Sequence, residues 1–283
     1  MVDVEHVTFA YRKREPLFRD LSMGLTDGNI YGLLGKNGAG KTTLLKLMTG
    51  LLFPDSGETR IEGLPANKRA PAALQEIFFI PEEFHTPDIS GRRYVELYGG
   101  FYPRFDRDAM EHYAREFELD LTKRLGTMSY GQRKKFLVAF GFATMCRILI
   151  LDEPTNGLDI PSKSQFRRLA ASAMSDDRTF IVSTHQVRDM ENLIDPVIII
   201  DEGRILFQES MEAVTSKLRV DVVSTENEAD GALYSEKVPG GYAAVRKNDS
   251  GAESRIDLEL LFNVVTSNKE RVSAIFAETE ETK

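Results

Sequence analysis

The segment Gly35-Lys36-Asn37-Gly38-Ala39-Gly40-Lys41-Thr42 constrains this chain more than any other. It follows the apolar run Ile30 to Leu34 and precedes Leu44, Leu45, Leu47 and Met48, whose spacing is helical, with Gly50 placed to end the helix. Strand, loop and helix in that order satisfy G-x-x-x-x-G-K-[ST] in the context that gives the pattern chemical meaning. Glycines let successive backbone N–H groups wrap a polyphosphate, the helix start adds positive charge, a lysine reaches the outer phosphates and a hydroxyl can meet Mg2+. Gly35, Asn37, Gly38, Ala39, Gly40, Lys41, Thr42 and Thr43 are therefore the candidate nucleotide-contacting residues, and Thr42 is also a candidate metal ligand. The loop alone does not separate an ATPase from a kinase or a GTPase.

Further strand-length apolar runs occur at Ile77 to Ile80, Ile148 to Leu151, Phe180 to Ser183 and Val197 to Ile200, separated by segments with helical patterning. Such alternation predicts an α/β fold with a mostly parallel sheet covered on both faces. Alternation at Val7, Phe9 and Tyr11 predicts an early strand. From about 84 to 127 no comparable strand occurs, and Tyr94, Val95, Leu97, Tyr98, Met110, Tyr113 and Phe117 suit a helical insertion. From about Lys217 the texture changes. Val220, Val222 and Val223 suit a strand, Gly231 and Pro239-Gly240-Gly241 suit turns, and Leu258 to Val265 suits a helix after Asp257, which together predict a small α+β appendage. The polar residues from Glu278 are expected to fray.

Composition sets limits on function. Apolar residues make up 42% and charged residues 28% of 283, which fits a folded globular chain and not a disordered or disulfide-scaffold one. With 36 Lys and Arg against 44 Asp and Glu, the net charge is −8, so no global positive field draws nucleic acid. The short basic runs Arg12-Lys13-Arg14 and Arg133-Lys134-Lys135 are expected to be solvated faces. The lone Cys146 is expected to behave as a small buried hydrophobe. The start of the chain lacks the pattern of a signal peptide, and no apolar run reaches the ~18 residues of a spanning helix, so a cytoplasmic chain is expected, with any membrane role arising through a partner. His6, His85, His112 and His185 are dispersed, which leaves Mg2+ as the only metal implied.

Asp152 and Glu153 follow the run Ile148 to Leu151, at the strand end where open α/β sheets bind ligands. Asp152 is placed to reach a metal, directly or through water, and Glu153 to take a proton from an attacking water. Two solvated acids capping a strand is the plainer alternative.

Together with these pieces, Met128-Ser129-Tyr130-Gly131-Gln132 resembles the L-S-G-G-Q signature of the ATP-binding cassette (ABC) ATPases, with Met for Leu and Tyr for the first Gly. The resemblance covers most of residues 1 to 215. Asp152-Glu153-Pro154-Thr155-Asn156-Gly157-Leu158-Asp159 is similar to the family's Walker B segment running into its D-loop. His185 resembles the switch histidine, and Tyr11 the adenine-stacking aromatic, the reading favoured over a core-facing strand position like that of its neighbours Val7 and Phe9. One departure stands out. Where the family usually has Gln after the strand Ile77 to Ile80, this chain has Glu82, which could ligate Mg2+ or remain a loop acid.

The resemblance implies a P-loop ATPase core with a mostly parallel sheet, an N-terminal antiparallel β subdomain, a helical insertion and a C-terminal α+β appendage, divided as residues 1–216 and 217–283. It implies catalytic roles for Glu153 and His185 and metal ligation by Thr42, Glu82 and Asp152. ATP contacts are implied for Tyr11 and the loop, and across a dimer for Ser129, Gly131, Gln132 and Asp159. The implied activity is ATP hydrolysis by a homodimer or paired ABC subunit that drives a separate integral membrane permease from the inner face of the cell membrane. Glu82, Phe84 and Tyr94 are candidate permease contacts. The rival is a soluble ABC ATPase acting on nucleic acid, ribosomes or complex assembly. Transported substrate, direction and the task of the appendage stay open.

Overall fold

The computed structural model describes residues 1–12, 15–251 and 253–277. Its centre is a six-stranded sheet of order β10-β9-β3-β8-β7-β6, formed by β3 (Ile30–Leu34), β6 (Ile77–Ile80), β7 (Ile148–Asp152), β8 (Thr179–Thr184), β9 (Val197–Asp201) and β10 (Arg204–Glu209). All neighbours are parallel except β10, which turns back on β9 through Glu202-Gly203. The apolar runs predicted as strands make up five of these six: β3, β7, β8 and β9 are the interior of the sheet and β6 is one edge. A second, antiparallel sheet of order β2-β1-β4-β5 joins β1 (Val2–Phe9), β2 (Phe18–Leu25), β4 (Ser56–Ile61) and β5 (Leu64–Pro65). β1 ends at Phe9, so Tyr11 lies beyond the strand that the alternation predicts for it.

Period-two alternation along the central strands sends successive side chains to opposite faces. Tyr31, Leu33, Ile148, Ile150, Ile181, Ile198 and Ile200 pack with the antiparallel sheet and with α1 (Lys41–Met48). Ile30, Leu34, Leu149, Leu151, Phe180, Val182, Val197 and Ile199 pack on the other side, beneath α5 (Tyr130–Ala143) and α6 (Ile160–Ser172). From Phe136 onward helix α5 is apolar nearly all round, with Phe136, Phe140 and Phe142 fully buried, as a stretch of helix enclosed on every side must be. Phe142 stacks on Phe180 at 5.8 Å, and each such buried ring contributes about 1.5–3 kcal/mol.

Between α2 (Pro71–Leu74) with β6 and the start of α5, the chain forms α3 (Gly91–Tyr98) and α4 (Arg107–Glu116), capped by Ser90 and Asp106. This is the segment whose spacing predicts helices. After α7 (Met211–Lys217), strands β11 (Leu218–Val223), β12 (Tyr234–Val238) and β13 (Gly241–Lys247) make a three-stranded antiparallel sheet covered by α8 (Leu258–Ser267) and α9 (Lys269–Ala277). Asp257 caps α8 as expected. Leu261, Val264 and Val265 belong to the same continuous core as Val197, Phe207 and Val214, so the appendage shares its interior with the central sheet.

One expectation changes. Lys134 is not part of a solvated face: it is completely buried, and its ammonium donates to backbone carbonyls of the turn after β7. Its place on α5 turns it inward, between helix and sheet. Of the other basic run, Arg12 is exposed, and Lys13 and Arg14 lie outside the described residues, as does the polar tail from Glu278. Cys146 is buried as expected, and burial pushes its thiol pKa up.

Candidate functional site

Register in the central sheet brings the motifs to one edge. Leu34 stands beside Thr184, and Asp152 beside Ser183. The residues that follow, Gly35, Glu153 and His185, therefore emerge at one level at the carboxyl ends of β3, β7 and β8, where open α/β sheets bind ligands.

The loop after β3 depends on glycine. Gly40 has φ 110°, and a Cβ there would lie 2.8 Å from the Phe18 ring. Gly38 has φ 85° and open space where a side chain would stand. The Ala39 methyl faces the core, and its N–H donates to the Lys36 carbonyl at 3.1 Å, so this amide closes the loop itself. Lys41 is buried; its Nζ donates to the Gly35 carbonyl at 2.7 Å and the Lys36 carbonyl at 3.3 Å and lies 4.0 Å from Glu153 Oε1. Burial lowers its pKa, opposed by the charges of Glu153, Asp152 and Glu82.

Thr42 Oγ1 donates to Asp152 Oδ2 at 2.7 Å, and the Ser183 hydroxyl donates to Asp152 Oδ1. Asp152 is 1% exposed, so these hydroxyls satisfy a carboxylate almost removed from water. Glu153 is 4% exposed and adopts φ 48°, a left-handed conformation that its surroundings must hold. Its N–H donates to the Ser183 carbonyl at 3.0 Å. Oε1 accepts from the His185 backbone at 3.0 Å and lies 2.8 Å from His185 Nδ1, while among the described residues Oε2 has only the Thr184 hydroxyl at 3.3 Å. The tautomer that suits a carboxylate partner is Nδ1–H, which leaves His185 Nε2 facing away from Glu153.

A cavity of about 420 Å³ is lined by Tyr11, Lys36, Asn37, Gly38, Gly40, Lys41, Thr42, Thr43, Glu82 and Glu153. Tyr11 is 44% exposed at its mouth, with its hydroxyl 3.0 Å from Thr43 Oγ1 and its ring edge-on to Phe9. Position and exposure place Tyr11 outside the core, although its ring leans on Phe9. Glu82 reaches the cavity, and its Oε1 accepts from Asn156 Nδ2 at 2.8 Å. His185 and Gly35 line a neighbouring cavity of about 550 Å³ with Lys36, Arg188 and Glu259.

Four predicted residues stand apart from the phosphate loop. Ser129 caps α5, accepting from the Gln132 N–H at 3.2 Å while Gln132 Oε1 accepts from the Ser129 N–H at 3.0 Å. Asp159 caps α6 by accepting from the Ser162 N–H at 2.9 Å, and hydrogen bonding from the Ser162 hydroxyl, with that N–H, lowers its pKa. A Cβ on Gly131 would lie 3.2 Å from the Gly157 carbonyl, so the start of α5 and the Asp159 turn adjoin. None of Ser129, Gly131, Gln132 and Asp159 lines the phosphate-loop cavity. Ile160 beside Asp159 is 80% exposed, an apolar side chain on the same surface.

Sequence reasoning missed Ser183, Asn156, Tyr130 and Lys134. Ser183 was legible as the last residue of an apolar run in register with Asp152. The others become partners only through chain crossings that no local pattern reveals.

The donor set tolerates Mg2+. Thr42, Asp152 and Glu82 offer hard oxygen ligands next to the loop, as Mg2+ requires. Among the described residues no group of three His, Cys, Asp or Glu could hold a metal by itself.

Residues 18–156 match the ABC transporter family model. The chain is 24% identical over 241 residues to the ABC transporter ATP-binding protein YtrB of Bacillus subtilis (strain 168), covering 84% of this chain and 82% of that one. It is 30% identical over 223 residues to the Nod factor export ATP-binding protein I of Burkholderia orbicola (strain AU 1054), covering 76% and 73%. In fold it is similar to the ATP-binding subunit of an ABC transporter (TM-score 0.68, 22% identity, 76% of this chain and 91% of that one). It is also similar to a dimeric ATP-binding cassette in a post-hydrolysis state bound to ADP and Pi (TM-score 0.65, 23% identity, 75% and 99%). With the phosphate loop, the paired carboxylates and the signature-like cap already in place, these likenesses make the chain a member of the ABC transporter ATP-binding proteins, the ATPase subunits of that family.

Proposed function

We propose that two copies of this chain, or one copy and a paired ABC subunit, close around two MgATP and that the cycle of closing and parting drives a separate membrane permease. The observation that carries this reading is the division of the motifs. The phosphate loop, Glu153 and His185 gather at one cavity, whereas Ser129, Gly131, Gln132 and Asp159 lie on a surface outside it. A second molecule brings that surface to the open side of the cavity. There the Ser129 hydroxyl and the first N–H groups of α5 face a γ-phosphate.

Within the site each group has a task. Tyr11 offers a ring face at the cavity mouth for an adenine, and Gly35 to Thr43 hold the phosphates, with Lys41 supplying charge. Mg2+, held by Thr42, Asp152 and Glu82, would neutralise charge on the outer phosphates. Glu153 orients the attacking water and takes its proton on Oε2, the oxygen left with free lone pairs. His185, fixed through Nδ1, points Nε2 toward the γ-phosphate.

Residues 1–216 form the cassette in this reading and 217–283 an accessory unit. That this unit braces the cassette, rather than mediating dimerisation or sensing a ligand, is favoured by the Arg188–Glu259 ion pair at 2.6 Å, which ties α8 to the turn just after His185.

The transporter reading has its own support. Pro71, Leu74, Phe78, Tyr94, Tyr98, Phe101, Tyr102 and Phe140 line an apolar groove of about 300 Å³, with Phe101 65% exposed, suited to a helix presented by a membrane protein. Of the contacts expected from sequence, Tyr94 lines this groove. Phe84 stacks on Tyr130 and Glu82 faces the phosphate loop. Among the described residues no helix is long and apolar enough to cross a membrane, so attachment to a membrane would come through that partner. Purification from detergent extract tests the reading. A polytopic membrane protein should accompany the native chain and be lost with Phe101→Asp. Ribosomes or nucleic acid in its place would support the soluble alternative and overturn ours.

A further inference from the structure

Lys134 is the one completely buried ammonium on α5, and the reaction as described gives it no part. Taking such a group out of water is unfavourable unless it is paired and hydrogen-bonded. Its Nζ donates to the Glu153 carbonyl and, at 3.2 Å, to the Asn156 carbonyl, with the Tyr130 ring 5.6 Å away. Both carbonyls belong to the turn that starts at the left-handed Glu153, so Lys134 clamps the backbone on which the Glu153 carboxylate is mounted. Burial lowers the pKa of this ammonium to about 8, opposed by the charges of Glu82, Glu153 and Asp152.

The contacts form a circuit. Asn156, bound through its carbonyl to Lys134, gives Nδ2 to Glu82 Oε1 at 2.8 Å. The Tyr130 hydroxyl, one helical turn before Lys134, donates to the Glu82 carbonyl at 2.6 Å. Glu82 is the carboxylate that stands where an amide is usual, and Tyr130 the residue that stands where glycine is usual. Both departures therefore meet at Lys134.

We propose that Lys134 is a positioning residue for ATP hydrolysis: its buried ammonium fixes the Glu153–Asn156 turn and offsets the extra negative charge of Glu82. The proposal rests on Glu153 being the base. Lys134 touches no substrate in this account; it acts by holding Glu153 against His185 and by balancing three acids that, among the described residues, otherwise share only Lys41 as a buried cation.

The test uses the full chain at concentrations where specific activity no longer rises, with kcat, KM for MgATP and binding of a fluorescent ATP analogue measured for each variant. Lys134→Met should lower kcat roughly 10- to 100-fold, as misplacement of a catalytic group does, while KM and ATP binding move by less than about threefold. Because the excess charge is Glu82's, Glu82→Gln should restore kcat about fivefold or more in the Lys134→Met background, beyond its effect on the native chain. A clamp with no electrostatic part would give additive effects in this cycle and overturn that half of the proposal. Unchanged kcat in Lys134→Met, or a loss that follows ATP binding, overturns the whole. Should Lys134→Met fail to fold, Lys134→Gln keeps N–H donors without the charge and should show the same split; native kcat in Lys134→Gln refutes the proposal. Glu153→Gln is assayed alongside. Native turnover there would refute the base assignment, whereas a dead Glu153→Gln with an active Lys134→Met would refute only the inference drawn here.

Discussion

Replacing Glu153 by Gln removes one negative charge and almost nothing else. Oε1, which accepts from the His185 N–H at 3.0 Å and lies 2.8 Å from Nδ1, keeps its place as the amide oxygen. The new NH2 then occupies the position of Oε2, whose one neighbour is the Thr184 hydroxyl at 3.3 Å, a group that can rotate from donor to acceptor. The buried Thr184 hydroxyl, which already accepts from the Gln186 N–H at 2.9 Å, loses its acceptor in the exchange, so the variant should fold but with stability lower by about 1–3 kcal/mol. Loss of the charge 4.0 Å from the Lys41 ammonium leaves that ammonium freer for phosphate, so ATP binding should hold or tighten. Only the proton acceptor is lost. General-base catalysis contributes about 10²- to 10⁴-fold, which corresponds to roughly 3–5 kcal/mol of barrier. Phosphate release at saturating MgATP measures kcat, and equilibrium binding of a fluorescent ATP analogue measures affinity. A kcat within about fivefold of native would move the base elsewhere, because the positioned carboxylate would then supply less than the low end of that range. A large loss of ATP affinity would show instead that the carboxylate holds the loop.

Lys41→Ala should fail differently: it removes charge-assisted bonds of about 1.5–3 kcal/mol and strands Glu153 without its cation, so ATP affinity should fall roughly tenfold or more before turnover is considered. Specific activity should fall on dilution as dimers part, and a flat rate down to demonstrably monomeric concentrations would refute the divided site. Leu261→Ala, at a fully buried position of the shared core, should destabilise the chain by about 2–5 kcal/mol in denaturant titrations. Because that core is continuous, cassette and appendage should unfold together; a separate early transition would show two independent units. Burial pushes the Tyr94 phenol up to about 12, so between about pH 10 and 12 the unfolded chain loses a proton that the folded chain keeps. Stability must then fall as pH rises through that window, by up to about 1.4 kcal/mol per pH unit per proton, and Tyr94→Phe should make the melting temperature less steeply dependent on pH there.

What could be read from the residues was whatever is encoded locally. Gly35 to Thr42 carried its meaning in spacing, because a backbone that wraps phosphate needs small residues at fixed intervals. Ile148 to Glu153 did so because a doubly buried strand must be apolar until it meets solvent or ligand. Strands β3, β6, β7, β8 and β9, the Asp257 cap and the helical run before Gly50 all fall in this class. The antiparallel β2, β4 and β10 were not read strand by strand, because Phe18–Leu25, Ser56–Ile61 and Arg204–Glu209 lack a continuous apolar signal. The basic triplet 133–135 was misjudged for a related reason: one residue of three turns inward, and helix orientation decides which.

Tertiary structure alone settled that Ser183, 31 residues from Asp152, supplies its second hydroxyl, and that His185 holds the Glu153 carboxylate. It alone joined Lys134 to the turn after β7 and the appendage to the central core. Local sequence fixes what a residue offers, through size, charge and backbone freedom. Partners are assigned when the hydrophobic core closes, since only then do residues from distant segments lose their water and require one another.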